Sequence, residues 1–119
     1  MARELAEWWE GNGGEPLLSE EAVFHPGHRY AGRVDLVARL GGRSVVVDLK
    51  TSARVYPEHL LQVGAYALAL RAEGVEVAGG FVLALREGLQ VAEVPLEAAA
   101  EAFLGLLAVH RFLEGLKGS

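Results

Sequence analysis

The sequence contains no cysteine, which excludes disulfide staples and cysteine-ligated zinc sites. It also lacks a long apolar run. Arg71, Glu73 and Glu76 break up the most hydrophobic part of the chain, so nothing approaches the roughly 20 apolar residues of a membrane-spanning helix. The opening Met1-Ala2-Arg3-Glu4 leads into acidic residues rather than the apolar centre of a signal sequence, and a cytoplasmic location without membrane contact is expected. Positive charge is scarce as well. Eleven Lys and Arg stand against 16 Asp and Glu, for a formal net charge of -5, which argues against a protein that binds nucleic acid through bulk charge alone. No repeat or low-complexity tract is present.

What is present is a chain of 119 residues, 51% of them apolar, which suits one ordered domain with a single core. The scarce basic residues are also unevenly placed. Arg29, Arg33, Arg39, Arg43, Lys50 and Arg54 fall in one stretch that holds only Asp35 and Asp48 as acids, a local excess expected to overlie whatever those acids do.

That stretch is the most informative part of the chain. Residues 30 to 51 read as two strands joined by Gly41-Gly42, a pair that accepts the positive φ angles of a tight hairpin. Strand side chains alternate, so Asp35 should share a face with Arg33 and Val37, leaving Val34, Leu36, Ala38 and Leu40 opposite. In the second strand Asp48 and Lys50 should lie with Val46, and Val45, Val47 and Leu49 on the other face. Two aspartates on neighbouring strands would then converge on one side of the sheet. Carboxylate oxygens suit a hard divalent ion, while Lys offers charge to a phosphate or to an attacking hydroxide. The bland alternative is an ion-pair network on a half-exposed strand.

Pro57 stands where a first helical residue would, and Glu58, Gln62 and Tyr66 follow at intervals of four, one polar line on an otherwise apolar helix over residues 57 to 73. Either these groups face a polar cleft, or Tyr66 is core and Gln62 caps a loop. Around this centre, Arg3 to Glu10 suggests a short helix anchored by Leu5, Trp8 and Trp9, and residues 15 to 19 a linker. A strand is expected over residues 20 to 24. His25-Pro26-Gly27-His28 forms a turn whose two histidines are too few for a closed zinc site. Val77 to Arg86 reads as a buried strand with a bulge or close approach at Gly79-Gly80, and residues 89 to 94 as an edge strand. A last helix opens at Pro95 and runs to about Leu116. Its stripe of Leu96, Ala99, Ala100, Phe103, Leu106, Leu107 and His110 should pack on the sheet, with His110 at its rim or in the core. The order α-β-β-β-α-β-β-α gives an α/β fold with a mixed central sheet flanked by helices. The strands at 45–50 and 77–86, joined through a helix, should be parallel.

Gly32-x-x-Asp35, Asp48-Leu49-Lys50-Thr51 and Gln62-x-x-x-Tyr66, in that order, resemble the RecB-type nucleases of the PD-(D/E)XK superfamily, including small phage and CRISPR-nuclease-like members. The likeness spans about residues 20 to 94. It implies a restriction-endonuclease-like core and Mg²⁺- or Mn²⁺-dependent hydrolysis of DNA. By that resemblance Asp35 and Asp48 would ligate the metal with the Leu49 carbonyl, Lys50 would position or activate water, and Gln62 and Tyr66 would orient substrate or brace Lys50. The family usually adds a Glu or His from a helix ahead of the sheet. Here that part is short and offers only Glu4, Glu7 and Glu10. Two further readings follow: a nuclease-fold protein that binds DNA or a partner subunit with little or no turnover, and a purely structural interaction protein. A homodimer, or a larger helicase or nuclease partner, is consistent with the shortened amino-terminal part.

Overall fold

A computed structural model describes residues 2–118 and follows the expected order of elements. These are α1 (Ala2–Gly11), β1 (Glu15–His25), β2 (Tyr30–Leu40), β3 (Arg43–Lys50), α2 (Pro57–Ala72), β4 (Gly79–Ala84), β5 (Gln90–Glu93) and α3 (Leu96–Lys117). The five strands form one sheet in the order β1-β2-β3-β4-β5. Neighbours are antiparallel except β3 and β4, which run parallel, with α2 as the crossover between them.

The β2–β3 hairpin closes tightly at Leu40↔Arg43. Gly41 and Gly42 take φ of 57° and 81°, angles that cost a side chain energy and glycine little. The β3–β4 register runs through Gly79 and Gly80 without a bulge.

Two expectations about strands are corrected. Residues 15 to 19 are strand rather than linker: β1 pairs with β2 from Glu15↔Arg39 onward, with a register shift between Pro16 and Leu18. As an edge strand it tolerates the N–H that proline lacks. The strict alternation expected of β2 also fails. Leu36, Ala38 and Leu40 pack with Val45, Val47 and Leu83, but Val34 joins Val37 and Val46 in the cluster on the other face. The β1–β2 ladder skips Glu20 and Asp35, which lie opposite each other, and Glu20 has φ of 48°. The chain changes face at this irregularity, so apolar residues two apart are buried on opposite sides.

The sheet separates two cores. On one face α1 lays Leu5, Trp8 and Trp9 over Ala38, Leu40, Val45, Val47 and Leu83, and Trp8 meets the ring of Phe81 edge-on at 5.6 Å. On the other face α2 covers Val34, Val37, Val46 and Val82 with Val63, Ala67 and Leu70. α2 shows no single apolar stripe because it is covered twice, by the sheet and by α3. Contact between the helices is close: a Cβ on Gly64 would lie 2.6 Å from the Ala100 nitrogen.

The stripe of α3 therefore does not pack on the sheet as its periodicity suggests. α2 already occupies most of that face, and α3 reaches the strands at its margins, through Leu96 beside Gly80 and through the Phe103 ring edge-on to Tyr30 at 4.9 Å. Leu96, Ala99 and Ala100 are buried, whereas Leu106 and His110 are exposed. His110 is exposed rather than core, although its neighbour Arg111 still reaches the Arg29 carbonyl at the β1–β2 turn.

Candidate active site

The β2–β3 ladder ends at Leu36↔Val47, and the next two residues in register are Asp35 and Asp48. The strands part here, which leaves room for side chains to turn toward each other. Asp35 Oδ2 accepts a hydrogen bond from the Leu49 amide at 2.9 Å, bridging the gap that the backbone leaves. Asp48, 2% exposed, is the one buried charged residue among those described. Lys50, two residues on and on the same face, brings Nζ to 2.9 Å from Asp48 Oδ2.

That contact is a charge-assisted ion pair, and no neutral hydrogen-bond donor reaches the buried Asp48 Oδ2. Burial pushes the Asp48 carboxyl up to about 6; the Lys50 ammonium pulls against this, and the adjacent Asp35 carboxylate adds to it. A buried acid normally finds donors for its oxygens. One whose oxygen meets an ammonium instead is suited to a cation.

α2 supplies the wall. Lys50 Nζ donates to Gln62 Oε1 at 2.6 Å, so Gln62 fixes the ammonium rather than capping a loop. One turn on, Tyr66 interacts with the Arg33 backbone and the Gln62 side chain. Burial raises its pKa, and the charges of Asp48 and Asp35 raise it further, which keeps it a neutral hydroxyl. A Cβ at residue 32 would lie 2.6 Å from Tyr66 Cε1. Glycine at the head of Gly32-x-x-Asp35 thus lets the tyrosine ring lie against β2. Asp35, Asp48, Lys50, Gln62 and Tyr66, named from the sequence, are gathered on one face, and Leu49 contributes its amide to the same place.

His59 was not among the residues singled out from the sequence. Its Nδ1 accepts the Tyr56 amide at 3.1 Å, and its own amide donates to the Tyr56 carbonyl at 2.9 Å, a reciprocal cap at the start of α2. Partial burial and the Lys50 charge lower its pKa, so a neutral imidazole stands close to the ammonium. Its place two residues after Pro57, in the first turn, was the available signal.

The helix ahead of the sheet does not reach this face. α1 lies across the sheet, and Glu4 Oε2 accepts the Leu89 amide at 3.2 Å. Among the described residues no third His, Cys, Asp or Glu completes a metal-binding group with Asp35 and Asp48. The basic excess is also divided. Arg39 pairs with Glu15, and Arg43 donates to the Ala78 carbonyl at the hairpin end, about 13 to 17 Å along the strands from the aspartates at ordinary strand rise. Arg54 stands over the Tyr56 ring at 5.6 Å, at the start of α2.

A sequence profile of the PD-(D/E)XK nuclease superfamily matches residues 1–114. The chain belongs to this superfamily. No curated protein sequence matches it. The D-x-K of the PD-(D/E)XK name is Asp48-Leu49-Lys50, and the mixed sheet flanked by helices is consistent with the restriction-endonuclease-like core. No helix among the described residues is long and apolar enough to cross a membrane. The pair Asp35 and Asp48, whose buried Oδ2 meets a cationic rather than a neutral partner, fits a hard divalent cation as a partial ligand set. When bound, such an ion supplies Lewis acidity toward a phosphate oxygen. The chain's own residues supply a fixed ammonium at Lys50, an amide brace at Gln62 and a neutral hydroxyl at Tyr66.

Proposed function

We propose that this PD-(D/E)XK protein is a RecB-type member that binds DNA on the face carrying Lys50, Gln62 and Tyr66, with weak or no hydrolytic turnover when it acts alone. The observation behind this reading is the donor set. Two carboxylates stand together, while Glu4 of the amino-terminal helix is bonded on the opposite side of the sheet. Fewer charged ligands mean weaker affinity for Mg²⁺ or Mn²⁺. A larger helicase or nuclease partner would be the natural source of the missing group.

Lys50 is the residue placed to meet a phosphate, and Gln62 holds it in position. Labelled single-stranded and duplex oligonucleotides, titrated in chelator, should bind with an affinity that falls with salt. Lys50→Ala should weaken binding of both forms about equally and reduce the salt slope by about one, the loss of one phosphate contact. No binding of any DNA form would leave the face to a protein partner and overturn the DNA part of the reading.

A second reading, autonomous metal-dependent hydrolysis, is favoured by one observation: the buried Asp48 Oδ2 meets no neutral donor and lies beside Asp35 and the Lys50 ammonium. Here Asp35, Asp48 and the Leu49 carbonyl would hold the ion. Lys50 would stabilise charge developing on the phosphate, and Gln62 and Tyr66 would orient the strand. Chelator-sensitive cleavage that disappears in Lys50→Ala would establish it.

A further inference from the structure

α3 is 22 residues long, yet its second half packs on little of the protein. Leu106, Val109, Phe112, Leu113 and Leu116 are each between 50% and 67% exposed. The molecule is elongated, 53 × 32 × 22 Å along its principal axes. Its radius of gyration is 15.2 Å, against about 13.5 Å for a compact chain of this length. Five large apolar side chains on one helical arm form a contiguous patch of the kind that marks an interaction site.

The pattern within the patch points to what covers it. Leu106, Val109, Leu113 and Leu116 are spaced by three, four and three residues, the seam of a two-stranded helical pairing. The series is the same read in either direction. When two copies of the helix lie antiparallel about a twofold axis, Leu106 of one meets Leu116 of the other, and Val109 meets Leu113. Each layer is then apolar on both sides. The seam holds no charge, and the cations beside it are engaged: Arg111 donates to the Arg29 carbonyl, and Lys117 pairs with Glu114. The seam itself offers a phosphate backbone no cation and a charged peptide no complement.

The size is also adequate. The five side chains present on the order of 500 Å² per copy, so a pair would bury about 1,000 Å², where specific interfaces begin. We infer that α3 pairs antiparallel with α3 of a second copy, making the protein a twofold homodimer. The seam begins beside the candidate cleft. Phe103 and Leu106 line a cavity of about 320 Å³ together with Glu58, Gln62 and Tyr66, so the far end of the second copy's helix borders that cavity. The dimer does not depend on the DNA reading, and either can fail without the other.

Light scattering on the intact chain from about 1 to 100 μM, the range in which an interface of this size should associate, should show a mass moving toward twice 12.7 kDa. Leu113→Glu, at a side chain already half-exposed, should raise the dissociation constant at least tenfold while leaving the circular dichroism spectrum unchanged. Direction is tested by oxidative cross-linking, which the absence of native cysteine makes unambiguous. A mixture of Val109→Cys and Leu113→Cys chains should form a disulfide-linked heterodimer, and neither variant alone should cross-link efficiently. A mass of 12.7 kDa throughout would overturn the proposal and assign the stripe to a different protein. A dimer insensitive to Leu113→Glu would also overturn it, as would efficient cross-linking of Val109→Cys alone, the signature of a parallel pair.

Discussion

Burial holds the Asp48 carboxyl protonated up to about pH 6, against 3.8 for an ordinary aspartate. The folded state therefore keeps a proton that the unfolded chain has released across this window, and stability falls as pH rises from about 4 to about 6. Above the window the ionised carboxylate costs about 3 kcal/mol relative to acid conditions, at 1.36 kcal/mol per pKa unit. Asp48→Asn should remove this term. In chelator, urea unfolding of the variant and wild type should give stabilities that diverge in favour of the variant between pH 4 and 6 and run parallel above. A difference that does not change with pH would mean that the desolvation of Asp48 is compensated elsewhere. Two neighbours can be probed at the same scale. Gln62→Ala removes the 2.6 Å acceptor of the Lys50 ammonium and should cost about 1.5 kcal/mol, the lower range for hydrogen bonds to charged groups. Gly32→Ala sets a methyl against the Tyr66 ring and should cost about 1 to 3 kcal/mol by overpacking. Urea unfolding of that variant checks this, and unchanged stability would show that the ring is free to move aside.

At the scale of elements, what could be read from the chain was what local chemistry dictates. Gly41-Gly42 announces the hairpin because few residues accept its angles, and Pro57 with the Glu58, Gln62 and Tyr66 spacing announces α2 and its polar face. Asp48 and Lys50 follow from simple alternation. The convergence of Asp35 with them depends on more than alternation, since β2 changes face at the unpaired Glu20 and Asp35 positions, a feature of the ladder between two strands. Such pairing is invisible within either strand taken singly. The partner of α3 was illegible for a similar reason. An apolar period states that a helix face is covered but not by what, and here α2 reaches the sheet first. Gly64 was the unread signal: Gly64→Val should force α2 and α3 apart and lower stability by more than about 2 kcal/mol, the effect of overpacking a tight contact. Thermal unfolding checks this, and a variant as stable as wild type would mean the helices can separate without loss. Leu113→Glu, on the same helix beyond the packed half, should change monomer stability by less than about 0.5 kcal/mol, as surface substitutions do.

For the molecule as a whole, the sheet divides the functions. One face carries α1, its tryptophans and the bonded Glu4, and the other carries the aspartates, Lys50 and α2. The separation makes a two-carboxylate site, and it leaves part of the arginine cluster at the far end of the hairpin. Superfamily membership supplies the fold, and the donor set governs how much chemistry that fold can perform. The most direct measurement is Mn²⁺ and Mg²⁺ titration by calorimetry, run in parallel with cleavage of single-stranded, duplex and flapped DNA, on wild type, Asp48→Asn and Lys50→Ala. The expected result is weak metal binding that Asp48→Asn abolishes and Lys50→Ala leaves largely intact. Cleavage in wild type should be absent or more than a thousandfold below the roughly 10 s⁻¹ typical of enzymes. Turnover near 1 s⁻¹ by the wild-type chain alone, stopped by chelator and lost in both variants, would contradict the proposal that two carboxylates leave this protein unable to cut efficiently by itself.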